Sequence, residues 1–144
     1  MAWSAPRTWV VGELVTAAIM NTFIRDNQLY LSTWAQNDVT GARAIDGTVY
    51  QNTTDWIMIV TIQISSVVTN APQSTLVTID CDAATPPVTQ IGRIGLEADA
   101  VALGGDLTAK LAFTFVVLPL YYYQATEAGA AVSVLEDWFE WGTA

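Results

Sequence analysis

The stretch Trp56–Val68 constrains the fold more than any other. Val60, Ile62 and Ile64 alternate there with Thr61, Gln63 and Ser65. A period of two places apolar side chains on one face of a strand and polar ones on the other. Valine and isoleucine are stiff at χ1 and favour the pleated surface of a sheet. A sheet with one dry and one wet face is characteristically antiparallel.

The rest of the second half reads the same way. Short strands are expected at Thr48–Gln51, Ser74–Asp80, Gln90–Ala98, Thr108–Val117 and Ala131–Trp141. Between them lie a turn at Asn70–Gln73, a loop at Ala83–Pro87, a hairpin signal at Gly104-Gly105-Asp106 and the aromatic run Tyr121–Tyr123 after Pro119. This pattern predicts a mainly β fold, an antiparallel β-sandwich or jelly roll, over residues 48–144.

The first third differs. Residues 1–15 hold Trp3, Trp9, Pro6 and Gly12 with no steady period, and read as an extended arm with two large apolar anchors. The tryptophans either dock on another surface or fold back on their own domain. Residues 16–36 read as a helix capped by Thr16, with Met20, Ile24, Asn27, Leu31 and Trp34 at 4-3-4-3 spacing. That is a coiled-coil type of seam interrupted by one asparagine, or else an amphipathic face packed on its own domain. Residues 37–47 are polar and glycine-containing and read as a linker.

Composition bears on function. Of 144 residues, 52% are hydrophobic and 13% charged, against about 25% charged in ordinary soluble domains. One small domain does not readily hide that much apolar surface, so a membrane or another protein chain must cover the excess. The longest apolar stretch, Leu111–Tyr123, contains Thr114 and Pro119 and is shorter than the roughly 20 residues of a spanning helix. The start MAWSAPRTW lacks the basic and apolar segments of a signal peptide. Membrane insertion is therefore not expected, and a stable oligomer or larger assembly is. A net charge of −9 without a basic stripe argues against nucleic-acid partners.

Catalytic and metal-binding signals are thin. The chain has no histidine and a single cysteine, Cys81, which removes the commonest general base and any cysteine cluster for zinc. Asp80 and Asp82 share a face at a strand end but lack the spacing of a calcium loop. Cys81 between them is expected to point inward. Glu136, Asp137 and Glu140 are expected to face solvent on a strand whose Trp138, Phe139 and Trp141 pack. Tyr121, Tyr122 and Tyr123 alternate faces in a strand. Exposed, they suit recognition of sugars or proteins; otherwise they pack between subunits. No catalytic residue, cofactor or metal is expected.

Two segments carry a resemblance. Residues 9–27, WVVGELVTAAIMNTFIRDN, match every fixed position of W-x-x-G-E-x-x-T-A-A-x-M-N-x-x-I-R-D-N. That pattern is found at the start of small tailed-bacteriophage virion proteins. Val49–Thr53 leading into Ile57–Ile64 resembles the first strands of their companion domain. The stretch Phe113–Tyr123 resembles their late strand, usually F-x-V-P-P-G-Y-Y-Y, with Leu118-Pro119-Leu120 standing where Pro-Pro-Gly is usual. The closing Trp138-Phe139-Glu140-Trp141 resembles their final W-x-E.

The resemblance implies a non-enzymatic structural protein of a virion. It implies a homotrimer whose N-terminal segment is held by other virion proteins, in tail or capsid, and whose β-sandwich faces outward. Trp3 and Trp9 then anchor the arm, and the seam from Met20 to Trp34 joins the helices. The expected role is that of a tail fibre or tail tip, with Tyr121–Tyr123 available to a host-surface glycan or protein. A head decoration protein that clamps the capsid lattice is the alternative. A tail-borne cell-wall hydrolase using Glu136 or Glu140 is a remote third.

Overall fold

The computed structural model describes residues 8, 11–25, 34–68, 73–98 and 107–143. They fall into two units, one of residues 1–35 with 143–144 and one of residues 36–142.

In the first unit, Thr16 caps a helix as expected: its Oγ1 accepts from the Ile19 N–H at 3.3 Å. The α-helix, α1, covers only Ala17–Met20 and passes into a π-helical turn at Asn21–Arg25. None of the residues of α1 is buried. Tryptophans 3 and 9 lie outside the described residues, as do Asn27 and Leu31.

Eight strands follow among the described residues: β1 Trp34–Asp38, β2 Tyr50–Gln51, β3 Met58–Val68, β4 Gln73–Asp82, β5 Gln90–Ala98, β6 Leu107–Val117, β7 Tyr122–Glu127 and β8 Ser133–Thr143. They form two four-stranded antiparallel sheets, ordered β1-β8-β3-β6 and β2-β7-β4-β5. Only β4 and β5 are consecutive neighbours; every other link between strands passes from one sheet to the other. The mainly β expectation holds, and the arrangement is that of a β-sandwich.

Strand β3 shows why. Its residues alternate between buried and half-buried from Met58 to Val68 without a break. Val60, Ile62, Ile64 and Val68 are fully buried on its inner face. Val77, Ile79 and Cys81 of β4 answer them from the other sheet, with Phe115, Val117, Tyr123, Ala125 and Trp138 completing one core. Each fully buried valine or isoleucine contributes about 1.5–3 kcal/mol. Cys81 points inward as expected.

Two expectations need correction. The helix expected to residue 36 does not reach it, because Trp34–Gln36 belong to strand β1. Pairing in the β1-β8-β3-β6 sheet overrides local helix propensity there. The linker expected at 37–47 is part of the second unit. Val39 N–H donates to the Trp138 carbonyl, Gly47 N–H to that of Ala125, and Glu127 N–H to that of Ile45. Asp46 forms a β-bridge with Thr126. The hairpin signal at 104–106 lies outside the described residues.

Candidate functional site

The tyrosine run is the natural place to look for a site, and the sandwich splits it. Tyr123 pairs with Tyr50 and is fully buried. Tyr121 packs against the core. Of the expected recognition residues, these two are therefore turned inward: Tyr123 completely, opposite in β7 to the outward Tyr122, and Tyr121 partly, at the end of the turn before β7. Tyr122 occupies the outer face, half-buried, opposite Gln51 of β2 and Asp82 of β4.

Around Tyr122 the outer face of the second sheet is polar. Gln124 Nε2 donates to Asp80 Oδ2 at 2.9 Å. Gln51 Nε2 donates to the Leu120 carbonyl at 3.1 Å. Asp82 is occupied with its own loop: Oδ1 accepts from Ala84 N–H, and Oδ2 from Val88 and Thr89 N–H. Those backbone donors hold its carboxyl below the usual aspartate range. Thr78 and Arg93, paired across β4 and β5, extend the face. It offers an aromatic ring beside amides, carboxylates and a guanidinium, the groups that bind sugar hydroxyls or a polar protein surface.

Behind it lies a network that sequence reasoning missed. Arg43 clamps Glu140 with two hydrogen bonds, Nε to Oε1 at 2.7 Å and Nη2 to Oε2 at 3.0 Å. Tyr123 donates its phenol to Glu140 Oε1 at 2.6 Å. The Arg43 guanidinium lies 4.4 Å from the centre of the Tyr50 ring, a cation–π contact. Tyr50 in turn touches Tyr123 and Trp138 at 5.8 and 5.7 Å between ring centres. Burial, and then the hydrogen bond to Glu140, push the Tyr123 phenol well above its ordinary pKa. Burial opposes the charge on Arg43, but the bond and charge of Glu140 outweigh it and leave its pKa raised.

Glu140 thus corrects the expectation of a solvent-facing carboxylate. It is buried on the face it shares with Trp138, while Trp141 is exposed. Glu136 is separate, bonded to Lys110 Nζ at 2.7 Å, and stands at a β-bulge between the pairs Gln63↔Asp137 and Ile64↔Leu135. The cue was available: two residues apart on a strand means one face, and Trp138 had to be inside.

A second missed residue is Asn52, which is buried. Its Nδ2 donates to the carbonyls of Trp56, Val117 and Leu118, and its Oδ1 accepts from the N–H and hydroxyl of Thr54. Asn52 thereby ties the chain entering β3 to the corner after β6. That corner is a turn, Leu118–Tyr121, closed by Tyr121 N–H to the Leu118 carbonyl at 3.1 Å. Pro119 is its second residue and Leu120 its third, with φ +62°. This is the type II pattern, which favours glycine at the third place. The departure Leu118-Pro119-Leu120 from Pro-Pro-Gly therefore puts a leucine in a glycine position.

The helix seam is described only in part. Met20 and Ile24 are 43% and 42% exposed, and Trp34 stands on β1 and not on a helix. Among the described residues, no group of three histidine, cysteine, aspartate or glutamate side chains is placed to hold a metal ion. No helix among them is long and apolar enough to cross a membrane. Comparison with protein-family models and with curated proteins finds no match to either.

Proposed function

We propose that the chain is a non-enzymatic structural protein of a tailed-phage virion. In this reading it is a homotrimer held to the particle by its N-terminal segment, and it presents a jelly-roll sandwich outward as a tail fibre or tail tip. The observation that carries the reading is the resemblance over Trp9–Asn27, which falls in a unit separate from the β unit of residues 36–142. A virion-held segment followed by a self-contained domain needs that division.

The strand orders β1-β8-β3-β6 and β2-β7-β4-β5 support the jelly roll: eight strands in two sheets, with the chain alternating between them. Capsid and lectin domains share that architecture, which suits both particle structure and glycan contact. The polar outer face around Tyr122 supports host-surface recognition, with a glycan or a protein as the ligand.

Copy number tests the reading. Quantitative mass spectrometry of purified virions, against the major capsid protein, should give a few copies in a multiple of three. Hundreds of copies would make the chain a head decoration protein, and complete absence from particles would end the virion reading.

A further inference from the structure

The polar outer face of the β2-β7-β4-β5 sheet continues past Asp82 and Asp80. Beyond them stand Thr78 beside Arg93, Leu76 beside Gly95, and Ser74 beside Glu97. These rows enclose a cleft of about 440 Å³, lined on the outer face by Ser74, Leu76, Arg93, Gly95 and Glu97. Ligand sites fall in the range of roughly 300–1,000 Å³. Along β4 the cleft lies about 20 Å from the row of Tyr122.

Two glycines open the cleft. A Cβ on Gly95 would lie 2.0 Å from the Thr75 oxygen, and one on Gly129 would lie 2.5 Å from the Leu76 nitrogen. Close approach to β4 therefore forbids a side chain on either side of Leu76. Leu76 stands half-buried between stretches of bare backbone. That backbone is tied down: Leu96 N–H donates to Thr75 Oγ1 at 2.9 Å, and Ala128 N–H to the Leu76 carbonyl at 2.7 Å.

Opposite charges stand at the two ends. Arg93 and Glu97 are exposed, share a face with Gly95 between them, and are about 13 Å apart along the strand. Among the described residues neither has an ion-pair partner, whereas Arg43 and Lys110 are both paired.

We propose that this cleft binds a neutral glycan, with a sugar ring over Leu76 and Gly95 and hydroxyls on Arg93 and Glu97. The proposal rests on the host-surface recognition in the proposed function and names the ligand class and its seat. Chemistry selects the class. Arg93 only donates and Glu97 only accepts, so a ligand that satisfies both carries donors and acceptors. A hydroxyl is both at once. The C–H bonds of a sugar ring suit the aliphatic floor of Leu76. An anionic polymer is repelled by Glu97 and by a chain of net charge −9. A polypeptide laid on this face finds no backbone partners, since ladder bonds lie in the plane of the sheet.

The test uses the purified full chain and three neutral polysaccharides, mannan, dextran and galactan, with heparin as the anionic counterpart. Affinity electrophoresis reads binding and thermal melts read folding. At least one neutral polysaccharide should retard the chain, and heparin should not. Arg93→Ala and Glu97→Gln should each weaken that binding about tenfold or more, with the melt unchanged because both side chains are exposed. Lys110→Ala, on the other sheet, should bind as wild type does. Retardation by heparin alone overturns the neutral class, and no retardation by any of the four overturns the proposal. Binding lost in Tyr122→Ala but kept in Arg93→Ala and Glu97→Gln overturns the cleft and leaves host recognition standing. Binding to host cells that survives periodate oxidation of their glycans and is lost after protease treatment makes the ligand a protein and overturns the proposal as well. The virion reading stands or falls separately, on copy number in particles.

Discussion

At the scale of single residues, Glu140, Arg43 and Tyr123 form a unit whose members depend on one another. A buried carboxylate is tolerated because a guanidinium and a phenol both donate to it. Tyr123 is the member that titration reports. Its pKa is raised in the fold by burial first and by Glu140 second. The unfolded chain releases that proton near pH 10, the ordinary tyrosine value, about where the folded chain still keeps it. The folded state then binds more protons, so this contribution is complete below about pH 10 and is lost as pH rises. Tyr123→Phe should cost roughly 2 kcal/mol at neutral pH through the lost charge-assisted bond. It should also flatten the decline in melting temperature above about pH 10. Calorimetric melts across that range check both, and parallel alkaline slopes for wild type and variant would refute the assignment. The network was half legible. The W-x-E resemblance marked Trp138 and Glu140, and strand parity put them on one face. Their partner Arg43, half-buried, comes from a stretch whose polar, glycine-containing composition hides its place against the core.

At the scale of elements, clean alternation made β3 legible to within two residues at either end, and β5 was legible between its bounds although Gly92 and Gly95 interrupt its pattern. β1 was not. Trp-Ala-Gln-Asn-Asp has neither alternation nor strong β propensity, and only its place in a sheet with β8 makes it a strand. Close approach between elements was equally hidden. A Cβ on Gly95 of β5 would lie 2.0 Å from the backbone oxygen of Thr75 in β4. One on Gly92 would meet the tip of the Phe113 ring at 2.2 Å. Backbone in a paired strand cannot move aside, whereas a ring can be trimmed. Gly95→Ala should therefore cost more than the about 1–3 kcal/mol usual for overpacking, and Gly92→Ala should fall within it. Phe113→Leu should rescue Gly92→Ala and leave Gly95→Ala unimproved. Urea denaturation of the three single and two double variants measures this, and equal rescue of both glycine sites would contradict the register of β4 and β5.

At the scale of the whole molecule, the class of fold was legible and the order of strands was not, because alternation says which face is dry and nothing about which strand is next door. The domain boundary depends on that order. Composition places it at residue 48, where β character begins. Contacts place it at residue 36. The residues in between supply part of β1, the Arg43 clamp on Glu140, and the backbone bonds from Gly47 to Ala125 and from Glu127 to Ile45. Without them Glu140 is left inside with no counter-charge, a loss of about 3–5 kcal/mol where a buried pair is broken. Such a loss alone is comparable to the lower end of a domain's stability. Residues 36–144 should therefore melt cooperatively as an isolated chain, while residues 48–144 should not. Circular dichroism melts of the two fragments decide between the boundaries. A cooperative 48–144 fragment would show that β1 and Arg43 are accessories to a sandwich that closes without them.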